Sequence, residues 1–168
     1  MITLVTGGQR SGKSRFAEKI TLERSSNPIY IATAKVWDED FRHRVEIHKQ
    51  RRGPEWTTIE ECLKVGDVDI PDGSTVLLDC LTLLSTNWLF ECNEKIDDAM
   101  VNVSMQLDML FAKKTDFIVV TNEIGLGGIS DNPLQRKFAD LQGSVNQYVA
   151  SIADETFLIV SGLPLKLK

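Results

Sequence analysis

Apolar runs and helical stripes alternate along this chain. Residues 2–6 form a short β-prone apolar run that breaks at Gly7 and Gly8. A helical pattern begins near Lys13 and continues to about Arg24, where Ser25, Ser26, Asn27 and Pro28 make a turn cluster. Residues 29–32 read as a second buried strand. The segment 38–52 is charged and compatible with a helix until Gly53 and Pro54 stop it. Residues 56–59 are a short strand candidate, and Pro71, Asp72 and Gly73 form a turn before the apolar run 75–79, which ends in Asp79. Two longer amphipathic helices follow. Ile96, Met100, Val103, Leu107, Leu110 and Phe111 recur at three- and four-residue steps, as do Leu134, Phe138, Leu141, Val145, Tyr148 and Ile152. Between them lies a buried strand over 117–121; another covers 157–160, and 163–167 reads as a final edge strand. Continuous apolar strands alternating with helices predict an α/β fold with a mostly parallel sheet and helices on both faces. There is no repeat, low-complexity tract or linker, so 1–168 reads as a single domain.

Charge narrows the function. Nineteen Lys and Arg against twenty-four Asp and Glu leave a net charge of -5. Backbone-driven nucleic-acid binding needs a basic face, so nucleic acid is not an expected partner and any anion site must be local. The three cysteines form no CxxC pair and only two histidines accompany them, so they read as reduced, small apolar residues. No run reaches the ~18–20 apolar residues of a membrane span. The amino-terminal residues 1–6 do not read as a signal peptide, and the expected compartment is the cytoplasm.

The first chemistry-bearing motif follows the first strand. Gly7, Gly8, Gln9, Arg10, Ser11, Gly12, Lys13 and Ser14 fit G-x-x-x-x-G-K-[ST], with a strand entering and a helix leaving. Glycines let the backbone close around phosphates with several N–H groups pointing inward, and the helix N-terminus adds its positive end. Lys13 then reaches the β- and γ-phosphates, and the Ser14 hydroxyl ligates Mg²⁺. The expected fold is therefore a P-loop NTPase of RecA-like type. Asp79, at the end of an apolar strand, either holds Mg²⁺ together with Ser14 or caps the segment that starts at Leu81. Glu123 lies after the 117–121 strand, at the same edge; it either positions a nucleophile or metal-bound water, or is a plain loop carboxylate.

Residues 42–52 are the most basic stretch of an acidic protein. His43 and His48 are five apart, so on a helix they project about 140° from one another and do not form a metal pair. Arg44 and His48 share a face. The segment is either a solvated charged helix or a cationic cradle in which a neutral imidazole acts as a nucleophile or base.

Several segments occur together in one order: GGQRSGKS, YIATA, RHRVEIHK, LLDCLT, TNEIGLGGISDNPLQRKFAD, VNQ and VSGLPLKLK. Over essentially the whole chain this resembles the bifunctional adenosylcobinamide kinase / adenosylcobinamide-phosphate guanylyltransferase family of cobalamin biosynthesis. The resemblance implies two reactions. ATP or GTP phosphorylates the aminopropanol hydroxyl of adenosylcobinamide, and GMP then passes from GTP to adenosylcobinamide-phosphate, giving adenosylcobinamide-GDP and pyrophosphate. It also implies a histidine phosphoramidate, which aligns with His48. Nucleotide contacts carry over to Gly7 through Ser14, to Ala32, Thr33 and Ala34, to Lys49, Gln50, Arg51 and Arg52, and to Glu60 and Asp79. Glu60 would accept hydrogen bonds from the guanine edge. The family further implies a homotrimer. This chain has Ile47-His48-Lys49 where other members often have His-His-Lys.

Two other readings account for part of these features. A small-molecule kinase of the nucleoside-monophosphate type explains the phosphate loop but leaves His48 and TNEIGLG idle. The other is a RecA-like module that couples nucleotide binding to assembly or nucleic acid; the net charge of -5 argues against nucleic acid, though a local basic strip could still bind it.

Overall fold

The structure, a computed structural model, describes residues 1–35, 39, 46 and 52–168. Among these, seven strands form one sheet: β1 (Ile2–Gly7), β2 (Ile29–Ala32), β3 (Thr57–Glu60), β4 (Thr75–Asp79), β5 (Asp116–Val120), β6 (Glu155–Val160) and β7 (Leu163–Lys166). The spatial order is β3-β2-β4-β5-β1-β6-β7. Six strands run parallel, and β7 returns antiparallel to β6 at the edge. Crossovers are made by α1 (Lys13–Arg24), α2 (Leu81–Glu91), α3 (Ile96–Phe111) and α4 (Pro133–Ile152).

Strand alternation divides the core into two layers. Leu4, Ile31, Leu78 and Val119 face α2, α3 and α4, where Leu84, Leu107, Leu141 and Val145 are fully buried. Their neighbours Val5, Tyr30, Leu77 and Ile118 face the other way, packing with Ala17, Phe16 and Ile20 of α1. Helices thus cover both faces, as the apolar strands predict. α3 follows its three- and four-residue stripe, with Asp97 and Asp98 in its first turn, where they favour the dipole. α4 begins at Asn132, whose side chain accepts from the backbone N–H of Leu134 and Gln135, with Pro133 at the first helical position.

One helix has no counterpart in the periodicity reading. α2 is apolar around most of its circumference and is wedged between the sheet and its helical neighbours. A helix buried on most sides shows no polar face, and therefore no stripe. Within the charged segment 38–52, only Glu39, Glu46 and Arg52 are described; Glu39 and Glu46 are helical and exposed.

The edge strands are tied by ions. Glu155 of β6 accepts from Lys166 Nζ at 2.7 Å and from Arg24 Nη2 at 3.2 Å, joining β7 and α1 to the sheet. The Lys166 hydrogen bond chiefly, with the Arg24 charge, holds the Glu155 carboxyl below its ordinary range. A carboxylate lowered in the folded state stabilises above its unfolded pKa, and that stability is lost as pH falls through the folded one. Replacing Glu155 with Gln is expected to cost about 1 kcal/mol or less at pH 7, since the side chain is partly solvated. Urea unfolding should show the difference from wild type shrinking in acid, once pH passes below the glutamate range.

Candidate functional site

Parallel register places several of the residues singled out from the sequence along one edge of the sheet. Ala32 pairs with Glu60 on one side and with Asp79 on the other, and Asp79 pairs with Val120. These strand ends, with Gly7 at the end of β1, form the carboxyl edge, where α/β sheets bind ligands.

The phosphate loop sits over β1. Ser11 donates its backbone N–H to Gly8 O at 3.2 Å and accepts at its own O from Gly162 N at 2.8 Å, which closes the turn against the β6–β7 hairpin. Gly7 is required by close approach: a Cβ there would meet Ile159 O and Ser11 Oγ, both at 2.6 Å. Gly12 is left-handed at φ 97° and precedes α1 without any side-chain cap, and no acidic residue occupies the first turn. The first N–H groups of α1 and its positive end are thus left for an anion. Ser11 Oγ is buried and finds no hydrogen-bond partner among the described residues.

Lys13 is only 9% exposed and donates from Nζ to Gly8 O at 3.0 Å. Burial lowers its pKa from the usual lysine value, opposed by the nearby Asp79 charge. A desolvated ammonium inside a cradle of glycines is the group a triphosphate would neutralise. Next to it, burial pushes the Cys80 thiol up to about 12, so it is neutral at physiological pH.

Asp79 does not cap the following helix. Its Oδ2 instead accepts from the Tyr30 hydroxyl at 2.5 Å, and the N-cap position of α2 is Cys80, which makes no side-chain cap bond. Burial, then the neighbouring Asp79 charge, keep the Tyr30 phenol protonated and therefore a donor. The Asp79 carboxylate and the Ser14 hydroxyl are hard oxygen donors. They fit the set that magnesium takes together with phosphate and water.

Thr33 is fully buried. Its hydroxyl donates to Cys80 O at 2.7 Å and accepts from Cys80 N at 2.8 Å, its N–H donates to Asp79 O, and its carbonyl accepts from Asn87 Nδ2 at 2.9 Å. It locks the ends of β2 and β4 together as the floor of the site. Ala32 and Ala34 flank it and are half-buried.

The loop after β5 is held from below. Thr121, Gln142 and Asn146 form a buried triangle: Thr121 Oγ1 donates to Asn146 Oδ1 at 2.7 Å, and Gln142 Nε2 reaches both at 3.0 and 2.8 Å. Asn146 Nδ2 then donates to Asn122 O, while Asn122 N donates to Thr82 Oγ1. Glu123 donates its N–H to Gly7 O at 3.1 Å, and its carboxylate accepts from Gly125 N at 3.1 Å. It therefore lies beside the phosphate loop.

Two strands from Asp79, Arg52, Gly53, Trp56, Thr58 and Glu60 line a cavity of about 340 Å³. The Arg52 guanidinium lies 3.6 Å from the Tyr30 ring centroid, and Trp56 meets the same ring edge-on at 5.8 Å. His48, Lys49, Gln50 and Arg51 lie outside the described residues. A second, larger cavity of about 780 Å³ opens between α2, α4 and the 124–130 loop; it is mostly apolar, with Phe90, Ile129 and Phe138 on its walls. Sequence reading missed Tyr30, Trp56 and Gln142 as contributors. The available signal was a hydroxyl or amide at a position buried by periodicity, since such a group demands a partner.

The family model for cobinamide kinase / cobinamide phosphate guanyltransferase matches residues 3–167. The bifunctional adenosylcobalamin biosynthesis protein CobU of Escherichia coli K12 is 36% identical over 182 aligned residues, covering 100% of both chains. The protein of the same name from Salmonella typhimurium LT2 is 37% identical over 183 aligned residues, again with 100% coverage of both. Among solved structures, a KaiC-like protein from Pyrococcus horikoshii OT3 has a TM-score of 0.46 at 15% identity, covering 94% of this chain and 71% of that one.

Proposed function

The chain belongs to the cobinamide kinase / cobinamide phosphate guanyltransferase family, a family of transferases in cobalamin biosynthesis, and from that premise we propose how its residues divide the two reactions. The observation that carries the proposal is the shared edge. A phosphate loop with a desolvated lysine stands beside Asp79, and a second cavity lined by Arg52 and Glu60 lies two strands away.

In the kinase step the loop N–H groups and Lys13 hold the triphosphate. The aminopropanol hydroxyl of adenosylcobinamide attacks the γ-phosphorus; the bond to the β-phosphate oxygen breaks, and the hydroxyl proton leaves to a base or to water. Glu123, whose backbone N–H bonds Gly7 O, would orient that hydroxyl with its carboxylate. Ser14 and Asp79 would hold Mg²⁺, which would neutralise phosphate charge when bound. Lys13 stabilises charge that develops on the leaving oxygen.

In the second step the acceptor is the new phosphate and the target is the α-phosphorus of GTP. One phosphate loop does not present both phosphorus atoms to one acceptor in one pose. A covalent relay resolves this. Neutral His48 attacks the α-phosphorus, a P–N bond forms, and pyrophosphate leaves. The substrate phosphate oxygen then attacks the same phosphorus, the P–N bond breaks, and the imidazole is restored. Arg52, with Lys49, Gln50 and Arg51, would balance the phosphate charge, and Glu60 would accept from the guanine N–H groups. Ala32, Thr33 and Ala34 would form the floor beneath the nucleotide. We further place the working unit as a homo-oligomer, a trimer by family resemblance. Leu126 and Ile129, 81% and 91% exposed on the loop over the larger cavity, support a partner there.

The deciding experiment is intact-mass measurement after incubation with GTP and Mg²⁺. Wild type is expected to gain the mass of one GMP, and the adduct should be labile in acid and stable in base, as a phosphoramidate is. Absence of any adduct with wild type removes the guanylyl-transfer reading.

A further inference from the structure

Tyr30 has two neighbours of opposite charge on its two polar features. Its hydroxyl donates to Asp79 Oδ2 at 2.5 Å, while its ring face carries the Arg52 guanidinium at 3.6 Å. The side chain is only 3% exposed, and Trp56 packs edge-on against the ring at 5.8 Å. A buried strand position facing α1 would be filled as well by leucine if packing were its whole purpose. We infer that Tyr30 is a shared positioning residue, its hydroxyl setting the Asp79 carboxylate for the nucleotide-bound cation and its ring anchoring the Arg52 guanidinium.

Two physical arguments support this. The first concerns Asp79, which is half-buried at the strand end, where its carboxylate can rotate about two bonds. The Lys13 ammonium is close enough to sense its charge. A carboxylate that swung onto Lys13 would form an ion pair in place of the lysine–phosphate contact. The Tyr30 hydroxyl commits Oδ2 elsewhere, and among the described residues no ion pair joins Lys13 and Asp79. The second argument concerns Arg52. A cation held on a rigid, buried ring has its position fixed to the sheet, and such a contact has its strength where water is excluded.

The inference rests on the two-reaction reading, and the test separates them. Tyr30→Phe keeps the ring and removes the hydroxyl. Calorimetric titration with the non-hydrolysable analogue AMP-PNP, over a series of Mg²⁺ concentrations, should show the Mg²⁺ midpoint raised about five- to ten-fold. The rate of GMP-adduct formation at saturating Mg²⁺ should stay within two-fold of wild type. Tyr30→Leu removes both features, so it should raise the midpoint equally and also slow adduct formation by at least ten-fold. A merely structural tyrosine would not separate the two readouts in this way. An unchanged or lowered Mg²⁺ midpoint in Tyr30→Phe overturns the inference, and that arm stands alone should Tyr30→Leu fail to fold. Equal adduct rates in folded Phe and Leu variants overturn the Arg52 half. If wild type binds AMP-PNP with Mg²⁺ yet forms no adduct, the guanylyl-transfer reading falls and takes the Arg52 half with it, while the midpoint still decides the Asp79 half.

Discussion

Replacing His48 with Asn is expected to abolish the GMP adduct while leaving phosphorylation of adenosylcobinamide largely intact. Asn matches the imidazole in polarity and approximate reach, but it has no lone pair that can attack phosphorus at neutral pH. Covalent capture from α-labelled GTP should therefore fall below detection, which means at least a hundred-fold. The proposed kinase step uses the phosphate loop, Asp79 and Glu123 but not His48, so transfer from γ-labelled ATP should change by less than about three-fold. The split between the two labels is the informative result. Loss of both activities would mean that the segment supports the phosphate loop rather than supplying a nucleophile. A persisting adduct would move the nucleophile elsewhere.

The opposite pattern is expected at Lys13. Lys13→Ala should lower phosphoryl transfer to adenosylcobinamide by about 10²–10³-fold, the usual cost of removing one charged donor from a transition state. The burial that depresses its pKa is the reason for so large an effect. With water excluded, no solvent dipole replaces the lost ammonium. Lys13→Met serves as the companion variant, because it keeps the apolar stem. Both variants should lose activity alike, and thermal unfolding should place the Met variant at or above wild type, since a desolvated charge has been removed. Normal turnover in either variant would show that the loop does not hold the reacting triphosphate.

These two predictions differ in where their support comes from, and the difference follows from the range of the forces involved. The phosphate loop is local. Gly7 to Ser14 fold on their own backbone, so composition and spacing are enough to read it, and the structure adds the close approach of Gly7 to Ile159 that makes glycine obligatory. The amphipathic helices α3 and α4 were equally legible, because one face of each meets solvent and leaves a stripe. α2 was not, because it is covered on most sides. Asp79 was legible as the end of an apolar strand but ambiguous in role. The structure removes the cap: the N-cap position is Cys80, and Asp79 Oδ2 accepts from Tyr30, 49 positions away along the chain.

By itself, then, the sequence determined the α/β class, the phosphate loop, the family, and the basic segment with His48, since each is carried by contiguous residues or by their order. Only the tertiary structure decided which residues meet. Strand order sets β2 between β3 and β4, and register aligns Glu60, Ala32 and Asp79 across three strands. Thr121, Gln142 and Asn146 come together to fix the loop of Glu123, and Tyr30 is placed between Asp79 and Arg52. Register and burial depend on how every strand and helix packs at once, and no local pattern encodes that sum.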